Sequence, residues 1–500
     1  MPKVLNVVFF FSPLIISAVI TYFTWVKIET ILIDFGLWLA MVTAFYIFLN
    51  FYLLLRRSKR YNIEVADEMT GFKIAAFVTS FNEDPEIVER TLLSVKDAVS
   101  NQGDVFLLDD STDENISRRL REFCTRNDIN YVHRKDRRGY KAGAINDALR
   151  RIQGYDLVAI FDADQRPVRD FFKQVLPYFK DPKIAFVQVP QNYSETFSGI
   201  STGAKYQQEP FLRIIMRGRS GRSAFSLGSG TVFRIQALRE VGYLPENSIT
   251  EDAAVSIKLH SKGYNSVYID VPLIWYGEPP QDLNAYLIQQ SRWALGYFQL
   301  TKDIIKADLS FLKYYDYFSG FLYWIKEGPL AIVEFISPIV FLLTEIPILR
   351  INPILYLLVY LPYLFISIGI FVAGIREETE YGLKGFFYHQ CVEFLEFTAV
   401  TASFISWLLG RKRPFRVTPK GGGRLNLRIL LPHIVILLLL IVSTVKGILW
   451  LISANSNFLL YYAIIVNVFW AIYHIPFFLG GILISARFKT RENLTKVVYY

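Results

Sequence analysis

Residues 157–164 read LVAIFDAD, a short apolar run followed at once by two carboxylates that flank an alanine. Continuous β-branched and aromatic runs of this length suit strands buried on both faces of a sheet, and Lys73–Ser80, Val105–Leu108 and Ile184–Val189 have the same character. Helical stretches at Ile87–Val99 and Ala142–Ile152 separate them. Strands alternating with helices predict a parallel, Rossmann-like α/β sheet. In such open sheets ligands bind outside the carboxyl ends of the strands. Asp162 and Asp164 should therefore share one crevice with Asp109 and Asp110, which end the run at Val105–Leu108.

Hard carboxylate oxygens suit a divalent cation, which would neutralise the pyrophosphate leaving a nucleoside diphosphate sugar. An Asp-x-Asp is also a common loop motif whose acids cap a helix, and the strand-end position favours the cation. A third acidic group stands at Thr250-Glu251-Asp252, ahead of the helical pattern Ala253–Ser261. Two readings stand: Thr250 caps the helix and the acids complement its dipole, or Asp252 is a general base for an acceptor hydroxyl. Residues 289–293 read QQSRW. On a helix Gln289, Arg292 and Trp293 lie at i, i+3 and i+4 and share a face. Arg292 suits a bidentate hold on a diphosphate, and Trp293 offers a flat floor to a sugar.

The chain has 500 residues, of which 52% are hydrophobic. That is too apolar for an ordinary soluble enzyme and predicts a membrane protein. The net charge is +9, but the basic residues sit beside apolar runs and form no stripe interleaved with exposed aromatics, so nucleic acid is not an expected partner. Cys124 and Cys391 lie too far apart for a zinc or disulfide framework.

A bilayer span needs roughly 20 apolar residues, and about six runs meet that length. They lie near Val4–Val26, Ile31–Leu55, Leu330–Leu349, Leu355–Ile375, Ile429–Ile452 and Leu459–Ile484. The first is too long for a signal-peptide core and lacks a cleavage site, so it reads as a retained helix. Basic clusters at Arg56–Arg60, Arg411–Arg416 and Arg487–Arg491 place both termini and the polar segment on the cytoplasmic face of the cell membrane. Phe318–Ile325 and Phe386–Leu409 contain or adjoin Lys326, Glu327, His389, Glu393 and Glu396, and are expected along the membrane interface. Glu327, Glu334 and Glu345 face either a wet cavity or the interface. The organisation is a helix pair (1–56), an α/β domain (57–315) and a C-terminal membrane region (316–500).

Taken in order, Thr79–Glu83 (TSFNE), Asp109-Asp110, Lys141-Ala142-Gly143, Asp162-Ala163-Asp164, Thr250-Glu251-Asp252 and QQSRW resemble the D, D, D, QxxRW pattern of membrane-bound family 2 glycosyltransferases. The resemblance covers nearly all of the α/β domain. Phe415-Arg416-Val417-Thr418, with Pro419 and Lys420, resembles the FxVT gating loop of bacterial cellulose synthase. Read alone, residues 411–424 are a basic, glycine-ended loop with a topological role.

The resemblance implies a GT-A domain that transfers glucose from UDP-glucose, with Mg2+ or Mn2+, to a growing β-glucan and passes the polymer across the lipid bilayer. By it Thr79, Phe81 and Glu83 border the uridine, Asp109 or Asp110 meets the base or ribose, and Lys141 approaches the nucleotide. Asp162 and Asp164 hold the nucleotide and metal. Asp252 with Glu251 serves as the base, Gln289, Gln290, Arg292 and Trp293 meet the leaving group and acceptor, and Thr418 and Lys420 approach the phosphates. Phe225, Gly228 and Ser229 in FSLGS resemble the family's FFCGS acceptor segment, and residues 188–191 (QVPQ) its QTP segment. Leu227 and Val189 replace the cysteine and threonine, which leaves sugar and linkage open. Bacterial cellulose synthases have further N-terminal spans and a PilZ domain, so no cyclic-di-GMP site is expected in this chain. An N-acetylglucosamine or mannose polymer, a lipid acceptor, and a non-catalytic nucleotide-binding receptor or scaffold are the competing expectations; accessory subunits are left open.

Overall fold

The computed structural model describes residues 31–59, 71–134, 136–191, 193, 196–275, 279–346, 361–376, 381–411, 427–453 and 458–486. The expected span at Val4–Val26, the start of Leu355–Ile375, the cluster Arg487–Arg491 and the loop residues Phe415, Val417, Thr418 and Lys420 lie outside the described residues.

After helix α1 (Ile31–Ser58), strands and helices alternate as the apolar runs dictate: β1 (Ile74–Ser80), α2 (Pro85–Val99), β2 (Gly103–Asp109), α3 (Glu114–Arg126), β3 (Asn130–His133), α4 (Tyr140–Arg151) and β4 (Leu157–Asp162). Helix α2 starts where the Asp84 carboxylate accepts the Glu86 N–H and Pro85 occupies the first turn, where a missing donor costs nothing. Alternate residues of β1 serve opposite layers. Ile74, Ala76 and Val78 pack with Val88 and Leu92 of α2, while Ala75 and Phe77 pack with Ile145 and Leu149 of α4.

The second half contributes β5 (Ile184–Gln188), α5 (Gly199–Pro210), β6 (Thr231–Arg234), α6 (Glu251–Ser261), β7 (Asn265–Tyr268) and α7 (Leu283–Lys306). One seven-stranded sheet results, in the order β3-β2-β1-β4-β6-β5-β7. The expectation of parallel strands holds for β1 to β4 and for β5 with β7, but β6 runs antiparallel to both β4 and β5. The turn before β6 makes this reversal: Gly228 and Gly230 have φ of +84° and +63°, values that side-chain-bearing residues rarely adopt.

The apolar helices follow as α8 (Phe311–Ile325), a π turn (Lys326–Leu330), α9 (Ala331–Thr344), α10 (Leu361–Arg376), α11 (Gly382–Leu408), α12 (Leu427–Ser453) and α13 (Phe458–Ala486). Among the described residues five helices are long and apolar enough to cross a membrane: Leu32–Ser58, Phe311–Thr344, Gly382–Leu408, Leu427–Ser453 and Phe458–Ala486. The chain is a membrane protein. Phe318–Ile325 is the middle of the long helix Phe311–Thr344, not a separate element. Helix α11 has the length and composition of a span, yet it packs along α5 and α7 of the α/β domain.

Domain and apolar helices are joined at Asp316 of α8, which is 1% exposed. Its carboxylate accepts from Arg222 Nε (2.8 Å), Ser223 Oγ and Asn50 Nδ2 (3.1 Å), so one acid ties α8 to the domain and to α1. Asp316→Ala should lower stability by about 3–5 kcal/mol, because Arg222 loses its carboxylate in a buried setting. Heat denaturation of the purified protein reads this as a large fall in Tm; a Tm unchanged from wild type would show that the hub is dispensable.

Candidate active site

The parallel register places Thr79 beside Asp162 and Ser80 beside Asp109 at the carboxyl ends of three adjacent strands. Asp162 is the focus. Its backbone N–H donates to Ser229 Oγ (2.8 Å), and its carboxylate accepts from Thr79 Oγ1 (3.3 Å) and from Lys141 Nζ. Lys141 also donates to the Gly228 carbonyl at 2.7 Å, joining the start of α4 to the turn before β6. Burial disfavours the lysine's charge, but Asp162, Glu251 and Asp252 outweigh it and hold the pKa above its ordinary value.

Glu251 and Asp252 open α6 at the same place. Thr250 makes no side-chain cap, and among the described residues its buried hydroxyl has no hydrogen-bond partner, which corrects the capping role the sequence suggests for it. Burial, reinforced by Asp252, pushes Glu251 up to about 7 against the pull of Lys141. Burial also raises Asp252, although the Ala253 N–H (2.8 Å), Lys141 and Arg292 favour its charged form. A Cβ on Gly228 would stand 3.0 Å from Asp252 Oδ2, so this backbone lies directly against the acid. Glu251, whose proton affinity reaches neutrality, and the neighbouring Asp252, raised in the same direction, sit in a cleft beside a cation, where a carboxylate can accept a proton at physiological pH.

Helix α7 supplies the next wall. Gln289 Nε2 donates to Tyr193 Oη (3.3 Å), and Arg292 and Asp164 both act electrostatically on that tyrosine, so the three share a neighbourhood. Trp293 and Phe225 pack on one apolar cluster with Tyr297 and Phe298. Gln290 turns away and donates to Gln207 Oε1 at 3.4 Å. The acceptor-like segment is held by its backbone: Gln188 accepts the Leu227 N–H (2.8 Å) and donates to the Ser229 carbonyl (2.8 Å), and Gln191 donates to the Leu227 and Ser229 carbonyls (3.1 Å each).

The other strand-end pair is held by partners of its own. Asp109 is fully buried, accepting from Tyr131 Oη (2.8 Å) and the Ser111 N–H (3.0 Å). Asp110 takes a two-pronged bond from Arg134, at 2.9 and 2.5 Å. Phe81 lies beneath the Arg137 guanidinium, and Glu83 is half-buried in the loop leading to α2. Sequence reasoning missed Arg134, Arg137 and Tyr193, since none belongs to a motif. The QVPQ likeness did point to Gln188 and Gln191.

A mixed sheet with acids at its central strand ends and a cationic helix beside them is the GT-A fold. The mannosyltransferase PcManGT from Pyrobaculum calidifontis, solved in complex with GDP-Man and Mn2+, shares the fold with a TM-score of 0.52 and 16% identity, covering 75% of this chain and 100% of that one. Residues 157–372 match the profile of glycosyl transferase family group 2. The UDP-forming cellulose synthase catalytic subunit of Xanthomonas axonopodis pv. citri is 29% identical over 445 residues, 85% of this chain and 59% of the relative. Its counterpart from Pseudomonas fluorescens is 31% identical over 240 residues, 45% of this chain and 31% of that one. The chain therefore spans less than two thirds of the length of these curated relatives. It is similar to family 2 glycosyltransferases over residues 157–372 and homologous to cellulose synthase catalytic subunits over most of its length.

The coupled acids predict the pH dependence of transfer. Activity should fall as pH drops below about 7, where the pair gains a proton. Glu251→Gln removes one negative charge from beside Asp252, so Asp252 ionises more readily and the acidic limb of kcat/KM moves down by about one pH unit. A limb that stayed in place would mean that the two acids do not titrate together.

Proposed function

We propose that the chain is a processive, inverting glycosyltransferase that polymerises a β-glucan from UDP-glucose and passes it through its membrane helices. The observation that carries this reading is the convergence of Lys141, Asp162, Glu251, Asp252 and Gly228 beside the helix bearing Arg292 and Trp293. The homology to cellulose synthase catalytic subunits supports the choice of donor and product.

Asp162, whose side chain is 39% exposed, and half-buried Asp164 offer hard oxygens two residues apart. Among the described residues no group of three His, Cys, Asp or Glu could hold an ion alone. That donor set fits Mg2+ or Mn2+, which is usually held by one or two carboxylates and completed by substrate phosphates. When bound, the cation would neutralise diphosphate charge.

The protein's own groups do the rest. Asp252 accepts the proton of the acceptor hydroxyl, whose oxygen bonds to the anomeric carbon as the bond to UDP breaks and UDP leaves with the electron pair. A single displacement inverts the configuration. Lys141 and Arg292 stabilise charge on the leaving diphosphate. Trp293, seated on the cluster that contains Phe225, holds the acceptor sugar in line. From Gln290 a buried polar line runs through Gln207, Tyr286 and Glu396 to Tyr323 and Glu393 of the apolar helices. The α/β domain is assigned to the cytoplasmic face.

Purified protein in lipid vesicles, given labelled UDP-glucose, UDP-N-acetylglucosamine or GDP-mannose with Mg2+ or Mn2+, tests this. A long, cellulase-sensitive product from UDP-glucose alone is expected; a polymer from another donor, or one sugar on a lipid, would replace the reading. Asp252→Asn should keep UDP binding and lose about 10²–10⁴-fold in transfer rate. Asp164→Asn should weaken the metal-dependent part of nucleotide binding, measured by titration with and without chelator. Normal turnover in Asp252→Asn would remove it as the base.

A further inference from the structure

We propose that Arg134, which belongs to none of the motifs, is the positioning residue that presents Lys141 to the leaving diphosphate, by tying the end of β2 to the left-handed turn from which Lys141 projects. This rests on the reading of the cleft as a glycosyltransferase site and adds what sets its cation in place.

Lys141 is the second residue of α4, and the two residues before it are both left-handed, Gly139 at φ +68° and Tyr140 at φ +49°. A residue with a side chain rarely adopts that conformation, which persists only where the surrounding structure imposes it. At 139 glycine is required twice over, since a Cβ there would also stand 2.8 Å from the Glu246 side chain. Tyr140 has no glycine's freedom, and its side chain is 50% exposed. The turn is gripped through its main chain.

Arg134, the first residue after β3, supplies that grip. It is buried, and each of the five N–H donors of its guanidinium has a partner. Nε and Nη2 hold the two Asp110 oxygens at 2.9 and 2.5 Å. Nη2 also donates to the Tyr140 carbonyl at 2.9 Å, while Nη1 donates to the Arg138 carbonyl at 3.0 Å and to Asp147 Oδ2 at 3.3 Å. An ion pair with Asp110 alone would use only the first of these sets. The remaining bonds go to the turn and to α4. A guanidinium is planar and its donors are fixed, so the acid after β2, the carbonyls on either side of Gly139 and the body of α4 are set in one frame. Gly143 lets the frame close, because a Cβ there would stand 1.9 Å from the Arg138 carbonyl oxygen and 2.8 Å from Arg134 Nη1. From this frame Lys141 reaches Asp162 and, at 2.7 Å, the Gly228 carbonyl. A misplacement of about 1 Å is enough to cost such a group roughly a hundredfold in rate. The alternative is a buried ion pair that serves stability alone.

Arg134→Lys separates the two in full-length protein in lipid vesicles, with transfer rates taken per UDP-binding site so that unfolded protein does not count. The lysine keeps a charge for Asp110 but cannot span the frame from a single nitrogen. We expect kcat to fall about tenfold to a hundredfold with donor KM within about twofold, because charge on the leaving group grows only towards the transition state. In protein already carrying Lys141→Ala the same change should cost less than about twofold, since the cation it positions is gone. Hydrogen exchange should also quicken in the peptide over residues 137–143 while the other strands of the sheet keep their protection. If Arg134→Lys does not fold, Asp147→Asn, which leaves the Asp110 pair intact, should show the same pattern at smaller amplitude. An unchanged kcat, a loss of equal factor in the Lys141→Ala background, or a turn that loosens without loss of rate would each overturn this assignment and leave the glycosyltransferase reading intact. A wild-type protein without transfer activity would instead overturn that reading, and this one with it.

Discussion

An acid in an apolar helix is tolerated only if every lone pair is met, and that requirement at Asp316 organises the molecule. Asn50 comes from α1, Arg222 and Ser223 from the α/β domain, and the acid itself from α8. Arg219 donates to the Asp316 carbonyl and to Ser319 Oγ, and Ser319 in turn bonds Asn50, which closes the network. Burial of apolar surface is non-directional and would let these elements slide. The polar hub removes that freedom. Since α7 ends at Lys306 and α8 begins at Phe311, fixing α8 also limits where Arg292 and Trp293 of α7 can stand.

Within the domain, charge does similar work over a shorter range. Three carboxylates, Asp162, Glu251 and Asp252, surround Lys141. Burial raises Glu251, and Asp252 adds to it, against the pull of that one cation. The excess of acids makes the cleft receptive to further positive charge on the side of Asp162 and Asp164, which is where a metal-diphosphate pair would enter. The base proposed on α6 and the cation site proposed on β4 thus share one electrostatic surrounding.

Much of this was legible in the sequence because apolar runs ending in acids describe strand ends directly. Strands β1, β2, β4 and β5 and the QxxRW face of α7 are legible without tertiary information. What the sequence did not reveal depended on partners elsewhere in the chain. Asp109 and Asp110 share the pattern of Asp162, but Tyr131 and Arg134 on and after the neighbouring strand capture them, and nothing local announces that. Strand β6 is four residues long, too short for a period, and its direction is set by a turn instead of by its own side chains. Helix α11 read as interfacial because of His389, Glu393 and Glu396; Tyr381, Tyr323 and Tyr286 on other segments satisfy those groups, so the helix is buried against the domain.

The departures at Val189 and Leu227 look different once their surroundings are known. Gln188 and Gln191 bind the chain from Leu227 to Gly230 through its backbone amides and carbonyls, and Ser229 Oγ is fixed by the Asp162 N–H and Gln165. A segment held by main-chain bonds keeps its path when a side chain changes. Val189 is fully buried, whereas Leu227 is half-buried and packs beside Phe225. Substitution at 189 therefore acts through packing volume alone, and of the two positions only 227 has surface with which to meet a sugar. Differences in acceptor preference between this chain and its relatives should accordingly trace to Leu227 and to the Phe225–Trp293 cluster next to it, and not to the path of the loop.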